Sequence, residues 1–277
     1  MMRLLWCETK KLSRSVVLYL FLASAALFSM LLILSGRNEQ FFMIAGPQVG
    51  GALPEKIGGA IGFIVNTIDP ERVADSVIRT VFSYTIFWIP STVLFSAGAF
   101  TEDFSTRSII LSKARGVSVG KIMLAKVITW FSVQGLCYGI YCVVSLVIKA
   151  AQFGTKLQAI DFKLFFGVLA ANVLLLWVLS LETFFLFALL KNVFASVLIL
   201  LIYHAAILSM YPNTYARFPE TLGGHKFVFQ ASPVYYLMNS CSLSFDRVPL
   251  QTGIHYSIAA LVLLAVVTAL VLENREV

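Results

Sequence analysis

The sequence predicts an all-α membrane protein with six transmembrane helices, and three observations lead there. Of its 277 residues, 59% are hydrophobic and 13% charged, with a mean hydropathy of +0.86. A soluble domain carries roughly 25% charged residues. Six apolar stretches are close to or above the ~20 residues that cross a hydrocarbon core. Most of the charge lies in the connections between them.

The same composition excludes other classes. No G-x-x-x-x-G-K-[ST] occurs in the chain, so it holds no P-loop for ATP. The net charge of +7 is split over several connections instead of stacked on one face, which suits membrane borders and not nucleic acid. Cys7, Cys137, Cys142 and Cys241 have no metal-ligand spacing, and Cys137 and Cys142 read as packing residues. The start of the chain shows no short apolar region followed by an A-x-A site, so no cleaved signal peptide is expected. Residues 1–277 read as a single transmembrane domain.

In chain order, residues 1–14 read as an interfacial helix. At helical spacing Arg3, Cys7, Lys10, Lys11 and Arg14 share a face, Met2, Leu5 and Leu12 lie opposite, and Trp6 marks the boundary. Such a helix lies flat on an anionic membrane surface, and as a basic flank it also fixes orientation. Val16 to Leu34 is the first span. Arg37 to Arg79 is a long outer connection rich in Gly, with Pro47, Pro54 and Pro70. Its apolar runs, Phe41 to Ala45 and Ile57 to Ile68, are too short to span and are expected as interfacial pieces on the outer side.

Val81 to Phe100 is the second span, with a kink expected at Pro90. Ile122 to Ile148 is the third, with Lys126 near its start and within snorkelling reach of the interface. Lys149 to Lys163 is a short outer loop. Leu164 to Leu190 is a long fourth span, Lys191-Asn192 a tight turn, and Val193 to Met210 the fifth span. Residues 211–251 form the second substantial outer segment, where Ser232 to Leu243 suits a short helix with Pro233 in its first turn. Two readings of this segment stay open: a surface loop with interfacial aromatics, or a hairpin that re-enters the membrane. Ile254 to Leu272 is the sixth span, and Glu273 to Val277 a charged tail.

Six spans put both termini on one side. With the termini cytoplasmic, the inner basic residues are Arg3, Lys10, Lys11, Arg14, Arg107, Lys113, Arg115, Lys121, Lys126, Lys191 and Arg275, eleven of the 21. They crowd the span ends, where the positive-inside rule counts them, so a multi-pass cell-membrane protein with cytoplasmic termini is expected.

Between the second and third spans lies FTEDFSTRSIILSKARGVSVGKIMLAK, Phe100 to Lys126. Phe104 to Ser112 can make two helical turns, too short to cross a bilayer, with Ile109, Ile110 and Leu111 as an apolar patch beside Arg107. Gly116 offers that helix a stop, and Ser118 an N-cap for the next. A polar loop is one reading. The other is a lever with something to touch on the cytoplasmic side.

This stretch resembles the coupling-helix region of type-2 ABC transporter permeases. That family shows an acidic residue, a Gly-Thr pair, a short apolar helix, then a small-residue turn with Ser and Arg before a Lys. The counterparts are Glu102, Ser105-Thr106, Ile109 to Leu111, Arg115-Gly116-Val117-Ser118, and Lys121 or Lys126. Ser105 stands where the family has Gly. The motif covers about a tenth of the chain.

The resemblance implies the membrane-spanning subunit of an ATP-driven exporter. It implies residues 100–121 as the coupling region, with Glu102, Phe104, Thr106, Arg107, Ile109, Ile110, Leu111 and Arg115 meeting a separate ABC ATPase subunit. ATP and Mg would be held by that partner, with no cofactor or catalytic group in this chain. It further implies residues 1–14 as an elbow helix, a re-entrant outer hairpin, and a homodimer or pairing with a similar permease. Similar length points to exporters of peptides or of the bacteriocin-immunity kind. Drugs, lipids and lipid-linked glycans are alternative cargoes.

Among residues that can carry chemistry, Glu182 is the one acid well inside a span, and with Gln134 it is a candidate for the transport path. The competing role for Glu182 is a hydrogen-bonded packing residue near Gln134 or Ser180. Glu182, His204 and His255 together raise the alternative of an intramembrane metalloenzyme. No H-E-x-x-H is present, and neither histidine has the expected polar neighbour, so no metal site is assigned. A channel would show a repeated polar stripe or a filter-like loop, and neither occurs.

Overall fold

The computed structural model describes residues 1–36, 41–45, 61–66, 71–105, 116–212, 226–245 and 248–273. Within them, six helical stretches are long and apolar enough to cross a membrane, so the chain is an all-α membrane protein.

Helix α1 (Met2–Leu12) lies against the bundle with no buried residue of its own. Lys10 stacks its ammonium 4.8 Å from the ring of Trp6, which is exposed. Helix α2 (Val16–Leu34) starts at Ser15, whose hydroxyl accepts from Val17 N. It crosses the fourth helix where Gly98 leaves room: a Cβ there would meet the Val17 side chain at 3.0 Å. Phe21 anchors the crossing, with its ring edge-on to Trp88 at 5.6 Å.

The long outer connection differs from expectation. Its apolar runs pair as an antiparallel hairpin of β1 (Phe41–Ala45) and β2 (Gly62–Val65), in register Phe41 with Val65 and Ala45 with Gly62 and irregular between Phe42 and Ile44. Strand β2 is buried throughout, against the next helix and residues 233–241, and is not an interfacial surface piece. Pairing satisfies the backbone groups that a short run too brief for a helix would leave open.

Helix α3 (Val73–Ser83) begins eight residues before the expected second span and runs almost straight into α4 (Thr85–Ser105). Arg79, placed by sequence in the outer connection, is therefore in a spanning stretch and buried. The helix is interrupted at Tyr84, six residues before Pro90, not at the proline. Ser83 donates there to Arg79 O, four residues back, at 2.7 Å, a contact that bends helices, and also to the carbonyl of Ile64, while Tyr84 donates to Leu31 O at 3.4 Å.

Ser118 takes the N-cap position of α5 (Val119–Phe153), although its hydroxyl caps nothing, and Gly116 before it has φ +79°. Gly154, at φ +67°, closes α5, a conformation without strain only for glycine. A 3₁₀ turn (Leu157–Ala159) leads to α6 (Phe162–Leu190), capped by Asp161 Oδ1 accepting from Leu164 N at 3.0 Å. Lys191 and Asn192 make the expected tight turn. Asn192 Oδ1 then caps α7 (Val193–Met210).

After α7 come two short helices, α8 (Lys226–Gln230) and α9 (Pro233–Cys241), the second capped by Ser232 with Pro233 in its first turn. Every residue of α9 is buried. Helix α10 (Leu250–Glu273) completes the bundle. Helix α6 is its centre, packing against α4, α5, α7, α9 and α10.

Candidate functional site

The coupling residues fall at the margin of what is described. Glu102 and Phe104 lie on the last turns of α4, whereas Thr106, Arg107, Ile109, Ile110, Leu111 and Arg115 lie outside the described residues. The site that takes shape is polar and lies inside the apolar bundle, where each buried polar group needs a partner.

Its first layer joins α4, α5 and α6. Gln134 Nε2 donates to Thr92 Oγ1 at 2.9 Å, and Gln134 Oε1 accepts from Ser180 Oγ at 3.0 Å. Ser96 Oγ donates to Ser180 at 2.9 Å and accepts from Trp130 Nε1 at 3.0 Å. Gln134 is thus consumed by a structural network, 1% exposed.

A second layer links the same helices to α9. Tyr138 shares a hydrogen bond with Thr85 at 2.6 Å and accepts from Asn172 Nδ2 at 3.2 Å. Ser240 donates to Asn172 Oδ1 at 2.6 Å. Asn172 is ten residues into α6, roughly 15 Å along its axis. Residues 233–241 therefore pack against α6 at that level.

The third contact brings Glu182 a partner. Glu182 Oε2 on α6 and His204 Nε2 on α7 are 3.2 Å apart, with the side chains 15% and 1% exposed. The ring N–H and the carboxylate are out of line, so this is an ion pair when the imidazole is protonated and not a hydrogen bond. Neither Gln134 nor Ser180 bonds to Glu182. His204 Nδ1 is 3.3 Å from Ser232 Oγ, at the turn between α8 and α9. That turn is tied down twice more, by Tyr203 donating to Val228 O at 3.2 Å and Tyr256 donating to Ala231 O at 2.6 Å. Tyr203 and Tyr256 lie within electrostatic reach of the Glu182 carboxylate.

His255 is exposed on α10, apart from that pair. Among the described residues no three His, Cys, Asp or Glu side chains group as metal ligands, so the Glu182–His204–His255 set does not come together.

Three buried cations went unnoticed as buried in the sequence. Lys149 Nζ, near the C-terminal end of α5, donates to Ser35 Oγ and Gly36 O at 2.9 Å each, and to Asn66 Oδ1 at 3.4 Å. Lys126 is buried and donates to Ala99 O at 2.8 Å. Arg79 is the third. Each sits near a span end, where a sequence reading assigns basic residues to the interface.

No protein-family model and no curated protein matches the chain.

Proposed function

We propose that this chain is the membrane-spanning subunit of an ATP-driven exporter, similar to type-2 ABC permeases, coupling a separate ATPase subunit to efflux of an amphipathic substrate, a peptide first. One observation carries the reading: the motif from Glu102 to Ser118 stands between two of six spanning stretches, with Lys121 and Lys126 in the first turns of the second. On this reading residues 104–112 form the coupling helix, residues 1–14 the elbow, and residues 226–241 the re-entrant hairpin. Both termini are cytoplasmic, and two copies, or this chain with a similar one, make the twelve spans. The burial of α9 beside Asn172 supports the re-entrant assignment, since a surface loop would leave its aromatics in water.

The chemistry stays in the partner, which holds ATP and Mg. Its closure would push residues 104–112 and tilt α4 and α5, a two-state element biased by nucleotide. The test is to purify the tagged full chain from its native membrane and assay ATP hydrolysis. An associated P-loop ATPase whose turnover rises with an amphipathic peptide is the expected outcome. A chain that purifies without any ATPase sinks the proposal.

A further inference from the structure

A partly open cavity of about 240 Å³ lies between α5, α6 and α10, at the end of the bundle where α5 starts and α10 stops. Met123, Val127, Leu181, Phe184, Ala265 and Leu272 supply its apolar wall. The volume is below the roughly 300–1,000 Å³ that encloses a whole small ligand, which suits one chain of a larger amphiphile. Leu124 at the mouth is 53% exposed, as a lipid-facing residue of a spanning helix would be.

Two polar features break the apolar wall. Thr268, 3% exposed, lines the cavity, and its Oγ1 has no hydrogen-bond partner among the described residues. Buried Thr hydroxyls on helices ordinarily bond the carbonyl four residues back, as Thr129 and Thr183 do here. An orphaned hydroxyl beside an empty cavity asks for an acceptor from outside. Five residues on, roughly 7.5 Å along the helix, Glu273 stands at the mouth. It has no ion pair among the described residues, and no basic residue occupies the last turn of α10. The carboxylate and the negative end of the helix dipole add, so the mouth attracts a cation. Arg275 and Glu276, the next charges in the sequence, cancel.

We infer that this cavity holds one acyl chain of a zwitterionic membrane phospholipid, its ammonium at Glu273 and an ester carbonyl accepting from Thr268. The order along α10 matches such a molecule: charge at the helix end, hydrogen-bond donor one and a half turns deeper, apolar wall beyond. The inference needs only the membrane-spanning bundle and stands or falls apart from the exporter reading.

The test uses the full chain in detergent, stripped of lipid and titrated with a phosphatidylethanolamine in native mass spectrometry. One lipid per protomer should be retained at activation energies that remove the rest. Ala269→Trp, which fills the cavity, should lower that retention at least about tenfold. Thr268→Val keeps the shape and should weaken it about fivefold, the size of one hydrogen bond. Glu273→Gln should abolish the preference over phosphatidylglycerol. Should Ala269→Trp fail to fold, Thr268→Val decides alone. Unchanged retention in Thr268→Val, no retained lipid in the unaltered chain, or an amphipathic peptide that binds there and excludes the lipid would each overturn the inference.

Discussion

Glu182 and His204 face each other across the two-residue turn that joins α6 and α7, with Oε2 and Nε2 3.2 Å apart inside the bundle. His204 turns its other nitrogen to Ser232, so an acid on one span is linked through an imidazole to the segment 226–241. Protonation of the imidazole alters both contacts at once: it completes the ion pair and fixes Nδ1 as a donor to Ser232.

That linkage makes the two residues energetically coupled. Glu182→Gln and His204→Gln should each lower stability, and the double variant should lose less than the sum, with a coupling of about 0.5–3 kcal/mol. Thermal unfolding of the four proteins in one detergent measures it. Additive losses would show that the close approach contributes nothing. On the exporter reading Glu182→Gln also lowers export while the chain stays folded, since Gln keeps the shape and cannot ionise. Full export would return Glu182 to a packing role.

Lys149 ties together three pieces of backbone that are far apart in sequence: the end of α2, the residue after β2 and α5 itself. Lys149→Met keeps most of the apolar stem and removes the charged donor. It leaves Gly36 O, Ser35 Oγ and Asn66 Oδ1 short of a partner, a loss of about 3 kcal/mol if two of the three bonds matter. Asn66→Ala removes the longest of these bonds and also the one that Asn66 Nδ2 donates to Ser35 O at 3.3 Å, and leaves the Lys149 bonds to Ser35 and Gly36 in place, so it should cost less, about 1–2 kcal/mol. Denaturant titration in micelles separates the two. Equal effects would mean that Asn66 and not Lys149 organises the junction.

The cysteines report both packing and sidedness. Cys7 is exposed, while Cys142 and Cys241 are buried. A membrane-impermeant maleimide at pH 7 should therefore label Cys7 and leave Cys241 untouched until the protein unfolds. With cytoplasmic termini, Cys7 reacts in inside-out vesicles and not in intact cells. In a Cys7→Ser background, Gly224→Cys should react in intact cells and Ser112→Cys should not. The reverse pattern would invert the orientation.

The spans were legible because a bilayer demands long apolar runs, and α2, α7 and the Lys191-Asn192 turn fall where hydropathy puts them. The β1–β2 hairpin was not, because two short runs separated by a Gly-rich stretch carry no sign of pairing with each other. The burial of Arg79 and Lys126 was not legible either: hydropathy assigns a basic residue near a span end to the headgroups and carries no sign of a protein acceptor such as the Ala99 carbonyl that Lys126 finds. Glu182 stood out by rarity, but its partner did not. Positions 182 and 204 lie nine and twelve residues from the ends of a two-residue turn, so antiparallel helices bring them near the same level. That symmetry was the available signal, and Gln134 and Ser180, nearer in the sequence reading, satisfy each other instead.

The coupling stretch gives the prediction on which the exporter reading turns. Ile109, Ile110 and Leu111 form an apolar patch in a segment too short and too polar at its flanks to be in the membrane, and such a patch has no reason to face water unless a partner covers it. An ATPase groove would cover it, with Arg107 or Arg115 pairing to acids at the rim. Ile110→Asp then buries a charge without a partner in that groove, and binding should weaken by about 3–5 kcal/mol. The spanning helices do not depend on the patch, so insertion and membrane levels should be unchanged. The measurement is recovery of the ATPase with the tagged chain, together with ATP turnover of the complex that remains. A conservative Ile110→Val at the same position should keep both, which separates the charge from mere disturbance of the segment. Loss of the partner in Ile110→Asp alone is what coupling requires. If Ile110→Asp retains partner and turnover, residues 104–112 are an ordinary polar loop, and the reading of this chain as the moving half of an ATP-driven exporter fails with them.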